Sequence, residues 1–294
     1  MDRVVVTGAL GTLGRFTVSE LKDTYQIIGL DVHEPRNPPK EVEFLAVDLT
    51  EHGPTWELIE RLDPKTVIHL AAIPGADHRA DTETFLKNVA SAYNVLTAAG
   101  RVGADVVWSS SEATYGVTDR EEAQPLTSLP IDERHPQRPL DGYGLSKLVG
   151  ETIAERTVRR AGISVTSIQP SWVQVPGHYE TVPIRERFDL DTPTPSGSLW
   201  SYIDARDVAR LIRLAVESPP EGHERYLAVA ADNYLGVPTA DAIEAAWGDL
   251  APACDIEGDR AAFSTAKAQR EFGWEPAYSW RESETADVEV PTYR

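Results

Sequence analysis

The 294-residue chain has a single cysteine, Cys254, so no internal disulfide framework can staple it. A lone thiol fits a reducing, cytoplasmic setting. Lysine is scarce too: six residues among 28 basic ones, set against 47 acidic residues and a net charge of −19. That balance disfavours nucleic acid and anionic membrane as partners, because both are negatively charged. No window approaches the roughly 20 apolar residues of a membrane span. The N-terminal "MDRVVVTGAL" lacks the basic, apolar and small-residue order of a signal peptide and reads as a β-strand. The seven His show no HxxH or HxxxH spacing, so no metal is expected. The absence of a GxSxG elbow leaves a hydrolase triad unsupported.

What is present is a globular composition, 41% apolar, with acids spread along the whole chain rather than gathered in a tail. Abundant Asp and Glu with little Lys is the surface expected of a salt-loving organism, where counterions screen the self-repulsion.

Short apolar runs alternate with longer amphipathic stretches. The runs are "RVVVTG" from Arg3, "QIIGLD" from Gln26, "EFLAVD" from Glu43, "TVIHLAA" from Thr66, "DVVWSSS" from Asp105 and "SVTSIQP" from Ser164. Helical periodicity lies near residues 12–24, 54–63, 81–102 and 142–161. Near-continuous apolar strands with helical crossovers predict an α/β fold, a Rossmann-type doubly wound parallel sheet covered on both faces. After Pro170 the pattern breaks, and 171–199 hold six Pro or Gly. A helix returns at Asp204–Ser218, then a strand "RYLAVAA" and short helices at "PTADAIEAAW" and "STAKAQREF". The organisation expected is a dinucleotide-binding domain over 1–170, rejoined by 200–218, and a small C-terminal substrate lobe from 171–199 and 219–294. The end of the chain, "ETADVEVPTYR", is expected to be loosely held.

Gly8, Gly11 and Gly14 follow the first strand directly, at the opening of the first helix. Glycines there permit a tight turn, let backbone approach a pyrophosphate and allow close helix–strand packing, while free N–H groups at the helix start meet phosphate charge. The second strand ends in Asp31, where a carboxylate can accept hydrogen bonds from an adenosine ribose and would repel a 2′-phosphate. NAD is therefore favoured, and Arg36 nearby leaves NADP as the alternative. Asp48, ending the third strand, is a candidate for the adenine edge or simply a turn residue.

"TGALGTLG", "HLAA", Asn88 in "NVASAYNVLTAA", "SSSEATYG" and "YGLSK" stand in the order and spacing of the extended short-chain dehydrogenases/reductases, and "LWSYIDARDVA" matches as well. This resemblance, strong over 1–170, is to a family that holds nucleotide-sugar epimerases, dehydratases and some sugar dehydrogenases. It implies that Leu10, Thr12, Leu13, Leu49, Leu70, Ala71, Ala72, Asn88, Ser109 and Pro170 join the glycines, Asp31 and Asp48 around the cofactor. It implies Tyr143, Lys147 and Ser111 as catalytic residues, with Pro74, Glu112, Trp172 and Arg185 beside them as substrate contacts. It also implies a homodimer through helices 81–102 and 142–161, with Phe85, Val89 and Leu96 recurring on one face that the sheet could claim instead.

The chemistry suits these residue types. Tyr143 and Lys147 share a helix face, being four apart. A free phenol has a pKa near 10, and an ammonium one turn away should lower it toward a working base. Tyr143 would take the proton of a substrate hydroxyl, Lys147 would hold the nicotinamide ribose, and Ser111 would hold the reacting oxygen, with Ser110 as the other candidate. Asn88 stands between a proton-relay role and plain helix packing. His69 reads as a core or loop-anchoring residue. Trp200 and Tyr202 read as lobe packing, and Arg206 and Asp207 as a pair or a helix cap. Dehydratases of the family carry an Asp-Glu pair after the Ser, whereas here Ala113 follows Glu112. Where nucleotide-sugar enzymes have Arg in "RPxxVYGPG", this chain has "QPSWVQVPG", with Gln169 and a bulky Trp172. Arg185 and Arg187 are the clustered cations available to meet a diphosphate. The expected function is oxidation of a small free sugar at the anomeric carbon by an aldose or uronate 1-dehydrogenase. The alternatives are a nucleotide-sugar 4-epimerase and a non-catalytic NAD-binding scaffold or sensor.

Overall fold

The computed structural model describes residues 1–75, 81–117, 126–248 and 251–293. Strand β1 (Arg3–Thr7) leads into α1 (Thr12–Leu21), followed by β2 (Gln26–Asp31), β3 (Glu43–Ala46) and α2 (His52–Leu62). Then come β4 (Thr66–His69), α3 (Asp81–Val102), β5 (Asp105–Ser109), a 3₁₀ turn at Glu112–Tyr115, β6 (Ser128–Leu129), α4 (Gly142–Ala161) and β7 (Val165–Pro170). The remainder comprises β8 (Trp172–Gln174), α5 (Val182–Arg185), β9 (Tyr202–Asp204), α6 (Ala205–Glu217), β10 (His223–Ala228), α7 (Thr239–Trp247), β11 (Ala253–Cys254), α8 (Ala266–Phe272) and α9 (Trp280–Ser283).

Seven strands form one parallel sheet in the order β10-β7-β5-β4-β1-β2-β3. The strands are apolar throughout because both faces are covered. On one face α2, α3 and α4 close over Val5, Ile28, Val67 and Val106, with Leu96 and Ile153 among the buried residues. On the other, α1 and α6 pack over Val4, Val6, Ile68 and Ile168. Chain order reverses between β1 and β4, so a crevice opens at their carboxyl ends. A third core of Tyr115, Trp200, Tyr202, Leu227, Tyr234 and Phe263 lies beyond the sheet's end, so Trp200 and Tyr202 are packing residues.

Three expectations need correction. The strand after α6, grouped with the lobe, is the seventh strand of the sheet, because β10 pairs with β7 over its whole length. Trp274 and Tyr293 likewise belong to the core beside α1 and α6. The chain end is also held in place: Tyr293 Oη donates to the Arg15 carbonyl at 2.7 Å, and the Arg15 guanidinium donates to the Pro291 carbonyl at 2.6 Å. Finally, Leu96 is fully buried under the sheet, and Val89 packs on the same core. Burying a Leu stabilises by about 1.5–3 kcal/mol, so the sheet claims that face. The apolar side chains α3 and α4 leave exposed are Leu86, Tyr93 and Leu145.

Candidate active site

The glycine turn is shaped by close approach. Gly8 has φ +66°, and a Cβ there would lie 2.7 Å from the Ala71 nitrogen. A Cβ on Gly14 would lie 2.1 Å from the Gly8 carbonyl oxygen. Any side chain would therefore fill the cradle or force α1 off β1. No side chain caps α1 at Gly11, and its first turn holds no acid, so its leading N–H groups stay available for an anion. Asp31 closes the far side: Oδ2 accepts from the Leu10 N–H at 3.0 Å and Oδ1 from the Val32 N–H at 2.8 Å. The cleft between them, about 920 Å³, is lined by Gly8, Leu10, Gly11, Asp31, Arg36, Asp48, Leu49, Leu70, Ala71, Ala72 and Asn88. Its size, its bare backbone cradle and its carboxylate at the end of β2 fit a dinucleotide. Asp48 accepts from both the amide and the hydroxyl of Thr50, which hold its carboxyl below the usual range. Thr12 and Leu13, which open α1, also line a cavity of about 170 Å³ against Val173 and Gln174.

Asn88 sorts out the loop after β4. Its Oδ1 accepts from the Ile73 N–H at 2.8 Å and its Nδ2 donates to the Ile73 carbonyl at 3.0 Å, with Ser146 Oγ at 3.3 Å. The clamped loop runs on to α4, where a Cβ on Gly75 would sit 3.0 Å from the Tyr143 ring. His69 is buried, with Nδ1 2.7 Å from Thr7 Oγ1. Burial pushes it down to about 3, so it is a neutral anchor between strands.

Helix α4 begins at a deliberate stop. Asp141 caps it by accepting from the Gly144 N–H at 2.6 Å, and Asp81 of α3 accepts from the Gly142 N–H at 2.6 Å. A Cβ on Gly144 would lie 2.6 Å from the Ala113 carbonyl oxygen, so glycine lets α4 meet the 3₁₀ turn. Tyr143 and Lys147 thereby face the end of β5. The Lys147 ammonium is buried, donates to the Ser109 carbonyl at 2.7 Å, and lies 5.5 Å from the Tyr143 ring and 5.6 Å from Trp108. Burial brings Lys147 down to about 8. The expectation that Lys147 lowers the phenol is reversed in the protein alone, where burial pushes Tyr143 up to about 12. The Ser111 hydroxyl lies near enough to oppose that rise without aligning for a hydrogen bond, while Glu112 adds to it.

The three consecutive serines part company here. Ser111 meets the phenol, whereas Ser110, fully buried, donates to Glu151 Oε1 at 2.6 Å on the far side and is removed from the reacting face. Beside Ser111, burial holds the Glu112 carboxyl well above the usual range. The Ser171 hydroxyl lies near enough to act on that carboxyl without aligning for a hydrogen bond, so Glu112 Oε2 and Ser171 Oγ are both buried without partners. Trp172 stands against Tyr234, centroids 6.2 Å apart. Arg185 does not stand free: it pairs with Glu284 at 2.7 Å and stacks 3.9 Å over the Trp280 ring. Gln137, Glu151, Gly75 and Gly144 were not singled out for the site from sequence. The i, i+4, i+8 stripe Tyr143–Lys147–Glu151 was the signal for one of them.

A glycine cradle at the point where strand order reverses, closed by an acid at the end of β2, is the build of a dinucleotide-binding enzyme. The chain belongs to the NAD dependent epimerase/dehydratase family, whose model matches residues 4–229. NAD is accordingly its cofactor. It is similar to the uronate dehydrogenase of Pseudomonas putida, 28% identical over 76% of this chain and 74% of that one. It is also similar to the L-arabinose 1-dehydrogenase (NAD(P)(+)) of Haloferax volcanii, 27% identical over 74% of this chain and 84% of that one. Among solved structures it resembles the UDP-glucose 4-epimerase of Thermotoga maritima, with TM-score 0.70 and 21% identity over 96% of each chain. Among the described residues no helix is long and apolar enough to cross a membrane.

Proposed function

We propose that the protein oxidises a small free sugar at its anomeric carbon, giving a lactone and reduced cofactor. The observation that carries this is the placement of Tyr143 and the buried Lys147 on one face of α4 against the end of β5, with Lys147 donating to the Ser109 carbonyl at 2.7 Å and the Ser111 hydroxyl near enough to act on the phenol. Tyr143 takes the proton of the anomeric hydroxyl, and Ser111 donates to that oxygen as it gains carbonyl character. Lys147, held by the Ser109 carbonyl, keeps a positive charge near the phenol and would hold the cofactor's ribose hydroxyls. When bound, NAD supplies the hydride acceptor and a positive charge that favours the phenolate. Asn88 positions the Ile73–Gly75 loop, which closes on the Tyr143 ring. The partnerless Oε2 of Glu112 and Oγ of Ser171 await polar groups, and sugar hydroxyls beside the reacting carbon supply them.

A free sugar is favoured over a nucleotide sugar because Arg185, one of the two cations in its segment, is taken up by Glu284. The relatives named for oxidising uronate and arabinose support the same reading. The second reading, a 4-epimerase with tightly held NAD, draws on the fold likeness to UDP-glucose 4-epimerase. A panel of pentoses, hexoses, uronates and UDP-sugars with NAD, followed at 340 nm, separates the two. NADH accumulating in step with turnover of a free sugar is expected; interconversion of UDP-sugars without net NADH overturns it. Tyr143→Phe keeps the ring and should lower kcat by about 10²–10⁴, the usual loss for a general base, while NAD still binds.

The acidic, Lys-poor surface suits a cytoplasm of high salt, and sugar rather than nucleic acid or membrane is the partner. The homodimer proposed for the helix pair uses Leu86, Tyr93 and Leu145, exposed on α3 and α4. Sedimentation at high salt should show a dimer.

A further inference from the structure

Behind the reacting face lies a buried polar knot with Glu151 at its centre. Glu151 is only 3% exposed and sits on α4 one turn beyond Lys147 and two beyond Tyr143, on the same stripe. Its Oε1 accepts from Ser110 Oγ at 2.6 Å and from Gln169 Nε2 at 2.8 Å. Its Oε2 accepts from Gln137 Nε2 at 2.7 Å, with the Arg225 guanidinium at 3.5 Å. Each donor is anchored in turn. Tyr115 Oη donates to Gln169 Oε1 at 2.8 Å, and Arg225 donates to Gln137 Oε1 at 2.5 Å and to the Glu133 carbonyl at 2.9 Å.

Two residues of the stripe hold the run of serines directly, Lys147 at the Ser109 carbonyl and Glu151 at the Ser110 hydroxyl, and Ser111 follows them within reach of Tyr143. At the extended end of β5 neighbouring side chains point to opposite sides. A Ser110 hydroxyl held on Glu151 therefore fixes the backbone from which Ser111 projects, and the Ala113 N–H donating to Ser111 Oγ at 3.1 Å sets that hydroxyl. Ser111 keeps an extended backbone, φ −164° and ψ 153°, that preserves this alternation.

We infer that Glu151 is a positioning residue for catalysis: by holding Ser110 it sets the Ser111 hydroxyl against Tyr143, with Gln169 and Arg225 completing its shell. This rests on the reading of Ser111 and Tyr143 as the proton-handling pair. Gln169 thus has work of its own at the place where the nucleotide-sugar pattern carries Arg. The positive charge facing Glu151 comes instead from Arg225 on β10, 74 positions along the chain. A glutamine at 151 could keep only one acceptor oxygen and would turn an N–H toward one of these donors, so even the isosteric change misaligns the knot.

The test uses Glu151→Gln, Ser110→Ala and the double variant, measured on the sugar found active. Ser110→Ala removes the same link while leaving the carboxylate with its Gln169 and Gln137 donors, so it guards against misfolding of Glu151→Gln. Each single variant should lower kcat by about 10- to 100-fold, the scale of a sub-ångström to 1 Å misplacement, with NAD binding unchanged. A Ser111 hydroxyl near the phenol favours the phenolate, so its displacement should move the acid limb of the pH–rate profile to higher pH. The double variant should be no worse than the more damaged single one, because both act through one link. Single variants that melt earlier yet keep kcat and the acid limb within about twofold would overturn the inference, as would additive losses in the double variant. Tyr143→Phe, assayed alongside, separates this from failure of the underlying reading: if it stays active, the phenol is not the base and the inference falls with it.

Discussion

Gly144→Ala probes how finely α4 is seated. In the interior of a helix, replacing Gly by Ala favours folding by up to about 1 kcal/mol. Here the added Cβ would stand 2.6 Å from the Ala113 carbonyl oxygen and 2.9 Å from Pro139 Cβ. Ordinary contact begins at 3.4 Å, so the two segments must part by about 0.8 Å (3.4 − 2.6). Overpacking of that kind costs about 1–3 kcal/mol, which exceeds the helix gain. The net loss should lower Tm by roughly 2–4 °C for each kcal/mol. The larger effect falls on catalysis. Relief moves either the start of α4, which carries Tyr143, or the 3₁₀ turn, whose Ala113 N–H donates to Ser111 Oγ at 3.1 Å. Either movement separates phenol from hydroxyl, and kcat should fall about 10- to 100-fold. NAD affinity should stay near wild type, because the glycine cradle lies elsewhere. Titration of NAD binding, steady-state rates and thermal melting on one preparation read out all three. Full kcat with an equal or higher Tm would refute the reasoning, since α4 and the turn would then part without consequence for the site.

Further expectations follow from other parts of the molecule. Because a carboxylate at the end of β2, lining the cleft, would repel a 2′-phosphate, kcat/KM should favour NAD over NADP, and Asp31→Ala should narrow the ratio; a wild-type preference for NADP would contradict it. Raising KCl from low to multimolar concentration should raise Tm by screening a net charge of −19, and a flat or falling Tm would remove the high-salt reading. His69 is held near 3 in the folded state, below its ordinary 6.5, so protons bind the unfolded chain first. Stability intact above pH 6.5 should therefore drain away as pH falls toward 3. His69→Gln should lose less over that window than wild type, and parallel Tm curves would show that His69 is not the titrating group.

The glycine spacing, the acid at the end of β2, the β-α alternation and the Tyr143–Lys147 pair were legible because each depends on neighbours in the chain. Helical and strand periods, turn chemistry and the bare backbone of glycine act over a few residues. The resemblance names Ser111 with Ser110 still open, and what separates them is the Ser110 hydroxyl's bond to Glu151, a partner 41 positions away. Arg185 looked free to meet a diphosphate until folding brought Glu284 to it from 99 positions away. The face of α3 carrying Leu96 could serve a partner or the sheet on periodicity alone, and the burial of Leu96 beneath the sheet decided it. Tyr293 read as loose tail, yet its hydroxyl reaches the Arg15 carbonyl across 278 positions. Local preference names the elements and the chemistry they carry, while pairing between distant segments is decided by chain closure and burial, which only the packed structure contains.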